Sequence, residues 1–516
     1  MNEKQLQDKI NGTIWSACDT LRSSIPGGNY KDYALVMLFV KYLSDTYKEE
    51  KEKAEEKYNG DKERIERALS RSKFVLEDEC TFDYLYESRN DNNIGEKINK
   101  ALERITTLNG VKLLNLFAGV DFNSEVVFGK TKEKNAILRT LLEDFNKPEI
   151  DLKPSKIGNL DVIGNAYEYL IARFAGDSGK KGGEFYTPAE VSILLAKLVE
   201  PKENDRIYDP ACGSGSLLLK ASKEVNSERF SIYGQESNSS TYNLCRMNMF
   251  LHGVNDAHIE WGDTLANPLH LENDKLMQFN VIVSNPPFSL DKWAKGFENA
   301  NTTTIENGKK RDTFKMEASM DPYNRFEYGV PPKSIGDYAF IQHMLKSLAD
   351  DGRMAVVLPH GALFRGASER IIRQRILEDN LIDAVVGLPE NLFYGVSIPA
   401  TIVIFKKNRN RDGVLFIEAS REYEKGKNQN TLTKENIEKI LNTYKNYEEI
   451  EKYSHIATMD EIKENEYNLN IKRYVDTFEE EEEIDIEETK KNIAEIEKEL
   501  QVLEKELQES LKELGL

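Results

Sequence analysis

The sequence has few cysteines and few histidines. Cys18, Cys80, Cys212 and Cys245 are far apart and form no Cys-x-x-Cys pair, and none of the six histidines is spaced to complete a zinc site. Neither a disulfide framework nor a bound metal is expected. Long apolar runs are also missing. The longest, such as Ala34 to Val40 and Ala400 to Phe405, fall well short of the roughly 20 residues that cross a bilayer. The N-terminal stretch Met1 to Gln7 is polar and lacks an apolar signal region, so no membrane association and a cytoplasmic location are expected. An excess of positive charge is the third absence. The 516 residues carry a formal net charge of −19. The last 38 residues, Glu479 to Leu516, hold 15 acidic and 5 basic side chains, a net of −10, which leaves −9 for the other 478. No segment is a strongly basic domain, so affinity for a phosphate backbone would have to come largely from a partner.

What is present describes a globular protein. Hydrophobic residues make up 39% and charged residues 31%, and the chain is too long for a single core, so two to four folding units are expected. Residues 1–150 read as a helical N-terminal domain. Segments such as Lys31 to Glu50 space their apolar residues at helical intervals, with Tyr33, Val36, Met37, Val40 and Leu43 on one face and Gly27-Gly28 as the turn before it. From about Asp161, short β-rich runs alternate with helical ones, the pattern of a parallel sheet covered by helices. Seven strands are predicted: Arg206 to Tyr208, Phe230 to Gly234, His258 to Trp261, Phe279 to Val283, Arg353 to Leu358, Leu381 to Val386 and Ala400 to Phe405. The fold class is therefore α/β, with a doubly wound domain over residues 151–420. Between Ser289 and Gly336 the alternation stops; so long a loop is either functional or mobile, or else a decorative insertion. Residues 421–478 read as a connecting region. Residues 479–516 read as an acidic, coiled-coil-like helix, because Ile486, Ile493, Ile496, Leu500, Leu503, Leu507 and Leu514 recur mostly at steps of three, four or seven.

Two motifs carry chemistry. Asp209-Pro210-Ala211-Cys212-Gly213-Ser214-Gly215 follows one predicted strand and opens a helix, which puts its glycines where a ligand can approach the backbone. It lacks the Gly-Lys-Ser/Thr ending of a phosphate loop, which argues against ATP hydrolysis. Taken alone, it would be only a tight strand-to-helix turn. Asn285-Pro286-Pro287-Phe288 ends another apolar strand, and alone it would be only a loop start, since successive prolines stop a strand. If both strands lie in one parallel sheet, the two segments meet at its carboxyl edge.

In this order and spacing the two segments resemble the cofactor loop and the catalytic loop of the DNA amino-methyltransferases. Gly183-Glu184-Phe185-Tyr186-Thr187-Pro188 looks like that family's additional cofactor motif. The helical leader, the run beginning at Gly182, the stretch Gly352 to Phe364 and the run Gly387 to Tyr394 narrow the resemblance to the modification subunit of type I restriction-modification systems, over nearly the whole chain. The resemblance implies S-adenosylmethionine as cofactor. Asp209, Gly213, Ser214 and Gly215 would line its methionine part, with Glu184, Tyr186, Thr187 and Pro188 against it. Glu236 would accept from the ribose hydroxyls and Asp263 from the adenine amino group; acids at strand ends otherwise serve as helix caps. The resemblance also implies double-stranded DNA as substrate and a specificity subunit as partner, commonly with two modification subunits per complex. It allows a restriction subunit as a further partner.

The chemistry of the Asn285 loop follows from its residue types. An exocyclic amino nitrogen is a poor nucleophile because its lone pair is delocalised into the ring. Acceptors at the Asn285 side chain and the Pro286 carbonyl would draw that lone pair out of conjugation and aim it. Pro286 and Pro287 would hold the backbone, and Phe288 would stack on a base swung out of the duplex, recovering roughly 1 to 3 kcal/mol of unstacking cost. Packing Phe288 into the core is the plain alternative. No cysteine nucleophile is required. Adenine N6 is the expected target; cytosine N4, an RNA base and a protein glutamine are the alternatives.

Overall fold

The computed structural model describes residues 3–25, 30–157, 160–177, 186–297, 300–306, 309–395, 397–427, 429–477 and isolated positions between 493 and 507. Nine strands form the central sheet: β1 (Arg206–Asp209), β2 (Ser231–Glu236), β3 (His258–Trp261), β4 (Phe279–Ser284), β5 (Leu348–Pro359), β6 (Ile382–Gly387), β7 (Ala400–Lys406), β8 (Val414–Glu418) and β9 (Ser454–Ala457). Their spatial order is β3-β2-β1-β4-β5-β7-β6-β8-β9. Strands β3 to β5 across this order are mutually parallel, β7 runs antiparallel to both β5 and β6, and β9 is antiparallel to β8. All seven strands predicted from the sequence are present. Two further strands extend the sheet: Val414–Glu418 at the end of the expected α/β domain, and Ser454–Ala457, which pairs with Val414–Ile417 and lies in the region expected to be only a connection.

The middle of the sheet is buried on both faces, so β4, β6, β7 and β8 read as nearly continuous apolar runs, whereas the edge strand β3 buries only Ile259. Along β4, Val281 and Val283 enter one core and Ile282 the other. Helices Ala189–Val199, Ser216–Lys223 and Lys434–Asn446 cover the first face; Asp337–Ser347 and Ala367–Glu378 cover the second. The chain winds β1-β2-β3 in one direction and then crosses to β4 on the other side of β1. This reversal opens a crevice at the carboxyl ends of β1 and β4.

The N-terminal helices form their own core. In helix Tyr30–Tyr58 the expected face is buried, but so are residues all round it from Tyr33 to Tyr47. Surrounding helices enclose it, as they do any helix apolar on all sides. The one ion pair this buries, Lys41–Asp45 at 2.6 Å, is satisfied further by Leu152 N–H donating to Asp45. Helix Leu160–Asp177 lies past the expected boundary at residue 150, yet Ile163, Ala166, Tyr167 and Leu170 pack into this helical core. Helix Ser239–Leu251 joins the two parts: Leu244, Met247 and Phe250 face the N-terminal core, while Cys245 and Met249 face the sheet. Residues 1–475 accordingly form one compact unit. No helix among the described residues is long and apolar enough to cross a membrane.

Residues 476–516 form a separate unit. Its described positions between 493 and 507 are helical, and Ile493, Ile496, Leu500, Leu503 and Leu507 are 51 to 63% exposed. Ile486 and Leu514 lie outside the described residues.

Candidate active site

The crevice brings the two sequence motifs together. Tyr186, Thr187, Asp209, Gly213, Ser214 and Asn285 line one cavity, along with Ala211, Cys212, Ser216 and Leu217. Gly213 and Gly215 both take positive φ, 54° and 78°, a conformation that L side chains rarely adopt. At Gly215 a Cβ would also lie 2.7 Å from both Cys245 Sγ and Met249 Cε. Ser214 is buried, and its carbonyl accepts from Asn248 Nδ2 at 3.0 Å.

Asp209 is 2% exposed at the end of β1. Its Oδ1 accepts from Ala211 N–H (2.9 Å) and from the Ser284 hydroxyl on β4 (2.8 Å), which ties the two strand ends together and leaves Oδ2 for a ligand. Burial pushes its pKa up to about 7. The two hydrogen bonds oppose the rise and nearby Glu236 adds to it. Glu236, at the end of β2, accepts from Gly213 N–H (3.0 Å) and Asn238 N–H (2.7 Å), and burial raises its pKa as well. Asp263 accepts from Leu265 and Ala266 N–H at 3.0 and 3.3 Å, holding the turn after β3. Pro188 starts helix Ala189–Val199, and its carbonyl accepts from Ser192 N–H. Glu184 lies outside the described residues.

Asn285 follows β4 directly. Its Nδ2 donates to Thr187 Oγ1 at 3.1 Å, while its Oδ1 is buried with no hydrogen-bond partner. An unsatisfied buried acceptor costs on the order of 1 to 3 kcal/mol, and no described residue supplies this oxygen with a donor. Pro286 is buried, and Phe288 is half-buried with its ring centroid 6.1 Å from that of Phe393. Phe393 and Tyr394, which the sequence reading used only for resemblance, thus border the site; Tyr394 lies 6.0 Å from Tyr186. The Thr187–Asn285 bond was not legible in the sequence, because it joins residues 98 positions apart.

The described part of the Ser289 to Gly336 insertion is anchored to the α/β domain. Arg325, 1% exposed, pairs with buried Asp321 and donates to the carbonyls of Thr264 (3.1 Å) and Leu265 (2.7 Å), next to Asp263. It also donates to His343 Nδ1 at 3.3 Å. Burial, reinforced by the guanidinium, keeps His343 neutral, so its Nε2–H donates to the Tyr208 hydroxyl at 3.0 Å.

A glycine-lined crevice beside buried Asp209 and half-buried Glu236, with an Asn-Pro-Pro-Phe turn across it at the point where the sheet reverses, defines an S-adenosylmethionine-dependent methyltransferase of amino groups. The comparisons with known proteins agree. The N-6 DNA Methylase family model matches residues 158–483, and the HsdM N-terminal domain model matches residues 10–145. The MpnII type I restriction enzyme methylase subunit of Mycoplasma pneumoniae is 34% identical, over 94% of this chain and 93% of the relative. The MjaVIII methylase subunit of Methanocaldococcus jannaschii is also 34% identical, over 94% and 81%. The crystal structure of a type I restriction-modification methyltransferase subunit from Streptococcus thermophilus superposes with a TM-score of 0.77 at 36% identity, covering 92% of this chain and all of that one. This chain belongs to the methylase subunits of type I restriction enzymes. It transfers a methyl group from S-adenosylmethionine to adenine N6 in DNA, and the cytosine, RNA and glutamine alternatives fall away.

Proposed function

We propose that Asn285, Pro286, Pro287 and Phe288 hold the target adenine, and that Glu184, Tyr186, Thr187, Pro188, Asp209, Gly213, Ser214, Gly215, Glu236 and Asp263 hold the cofactor. The observation that carries the reading is the buried, unpartnered Oδ1 of Asn285. Thr187 fixes the amide so that this oxygen, and not the nitrogen, is free. One N–H of the adenine amino group donates to Asn285 Oδ1 and the other to the Pro286 carbonyl. Both bonds strengthen as the nitrogen loses conjugation and gains positive charge, so they act chiefly in the transition state. Phe288 stacks on the extruded base. The cofactor residues fit their ligand: positive-φ glycines let it reach the backbone, Asp209 at the end of β1 lies beside its methionine part, and Glu236 at the end of β2 accepts from its ribose hydroxyls. S-adenosylmethionine supplies the methyl group when bound.

The sequence-reading element belongs to a specificity subunit, commonly bound by two copies of this chain, with a restriction subunit as a further member of the complex. The acidic balance of the chain and the exposed apolar seam from Ile493 to Leu507 support that reading.

Asn285→Ala in the assembled complex should lower the methylation rate by at least about 100-fold while leaving cofactor affinity unchanged. Normal methylation by this variant would refute the assignment.

A further inference from the structure

The catalytic loop is held at both ends, and its second anchor lies outside the residues so far assigned to the site. Immediately after Phe288, Ser289 turns the chain with φ +50°, and its N–H donates to Asp337 Oδ1 at 2.7 Å. Asp337 is 1% exposed, at the start of helix Asp337–Ser347. Its other oxygen pairs with the Arg365 guanidinium, whose Nε donates to Glu369 at 2.5 Å; Glu369 is itself 2% exposed. The same place closes the stem of the insertion. Lys292 N–H donates to the Lys333 carbonyl (2.9 Å), Trp293 Nε1–H donates to the Pro332 carbonyl (2.9 Å), and Gly336 packs against Trp293 and Leu290. The insertion therefore leaves and rejoins the α/β domain at the exit of the catalytic loop.

We propose that Asp337, held by Arg365, is a positioning residue for the methyl transfer: it fixes the backbone after Phe288 and thereby sets where the target base stacks. This rests on the reading of Asn285 to Phe288 as the catalytic loop. An ion-paired carboxylate makes a stronger acceptor than a neutral one, and burial keeps water from competing for Ser289 N–H. The left-handed turn at Ser289 is costly for a residue with a side chain, and the charge-assisted bond holds it in place. Asp337 touches neither base nor cofactor. Its contribution is geometric, and displacements of about 1 Å at a reacting centre can cost on the order of 100-fold in rate.

The test uses the methylase assembled with its specificity subunit and two duplexes: one with the target adenine, on which kcat is measured, and one with 2-aminopurine at that position, which has no N6 amino group and reports base extrusion only. Asp337→Ala should lower kcat about 10-fold or more and reduce the fluorescence rise that reports the extruded base, with cofactor affinity unchanged. Asp337→Asn keeps an acceptor for Ser289 N–H and should fall between Asp337→Ala and the parent. Asn285→Ala is measured alongside. If it is inactive while Asp337→Ala retains kcat within about twofold and normal fluorescence, the positioning role is wrong and the catalytic reading stands. If Asn285→Ala is active, the catalytic reading itself fails. A parallel loss of cofactor affinity and kcat in Asp337→Ala would show a general structural role and overturn the proposal. Should Asp337→Ala fail to fold, Arg365→Met leaves the Ser289 bond in place and removes its charge support. A folded Arg365→Met with parental kcat and fluorescence would overturn the proposal equally.

Discussion

Asp209 shows how one buried carboxylate couples the fold to its ligand. Its pKa, about 7 in the folded chain, lies above the ordinary carboxylate value of 3.8, so between those values the folded state holds a proton that the unfolded state has lost. Its contribution to stability is therefore present at low pH and lost as pH rises through 7. A cationic ligand reverses that preference by favouring the carboxylate form, and Glu236, shifted in the same direction, adds to the effect. The thermal shift produced by S-adenosylmethionine should accordingly grow as pH is raised from 6 to 8. Asp209→Asn should flatten that dependence and bind more weakly. Calorimetric affinities that do not change with pH over this range would count against Asp209 as a ligand of the cofactor.

At the scale of elements, the insertion between β4 and β5 is the segment whose character only the fold reveals. Its fully buried Arg325 satisfies carbonyls on the turn that carries Asp263 and neutralises Asp321 within the insertion itself. Removing one member of a buried pair leaves the other charge uncompensated, at a cost of about 3 to 5 kcal/mol. Arg325→Met should lower the unfolding free energy measured in urea by an amount in that range and weaken cofactor binding through the loosened turn after β3. Unchanged stability would mean that water reaches Asp321 readily. The central strands β4, β6 and β7 were legible because strands buried on both faces are mostly apolar runs. β9 was not: Ser454–Ala457 is only four residues long and contains Ser454 and His455, so its strand character comes from pairing with β8.

For the whole molecule, the separation of residues 476–516 from the compact unit makes the tail a test of assembly. Its apolar positions follow steps of three and four from Ile493 to Leu507 and are largely exposed, while its Glu-rich flanks would repel an identical parallel helix. A less acidic partner helix fits better. Truncation after Asp476 should abolish co-purification with the specificity subunit and methylation by the mixture, with cofactor binding preserved. Full assembly and activity would move the partner interface to the N-terminal helices or the α/β domain.

The sequence by itself determined the α/β class, the seven contiguous strands from the β3 edge to β6 and the two loops at the sheet's carboxyl edge. Each of these is written locally, as an apolar run, a glycine turn or a pair of prolines. Only the tertiary structure decided that helix Leu160–Asp177 belongs to the N-terminal core, that Thr187 orients the Asn285 amide, and that Asp337 anchors the chain after Phe288. These are contacts between residues far apart in the chain, where no periodicity marks the partner. They form because a buried polar group must find an acceptor or donor wherever the packed sheet and helices bring one within reach.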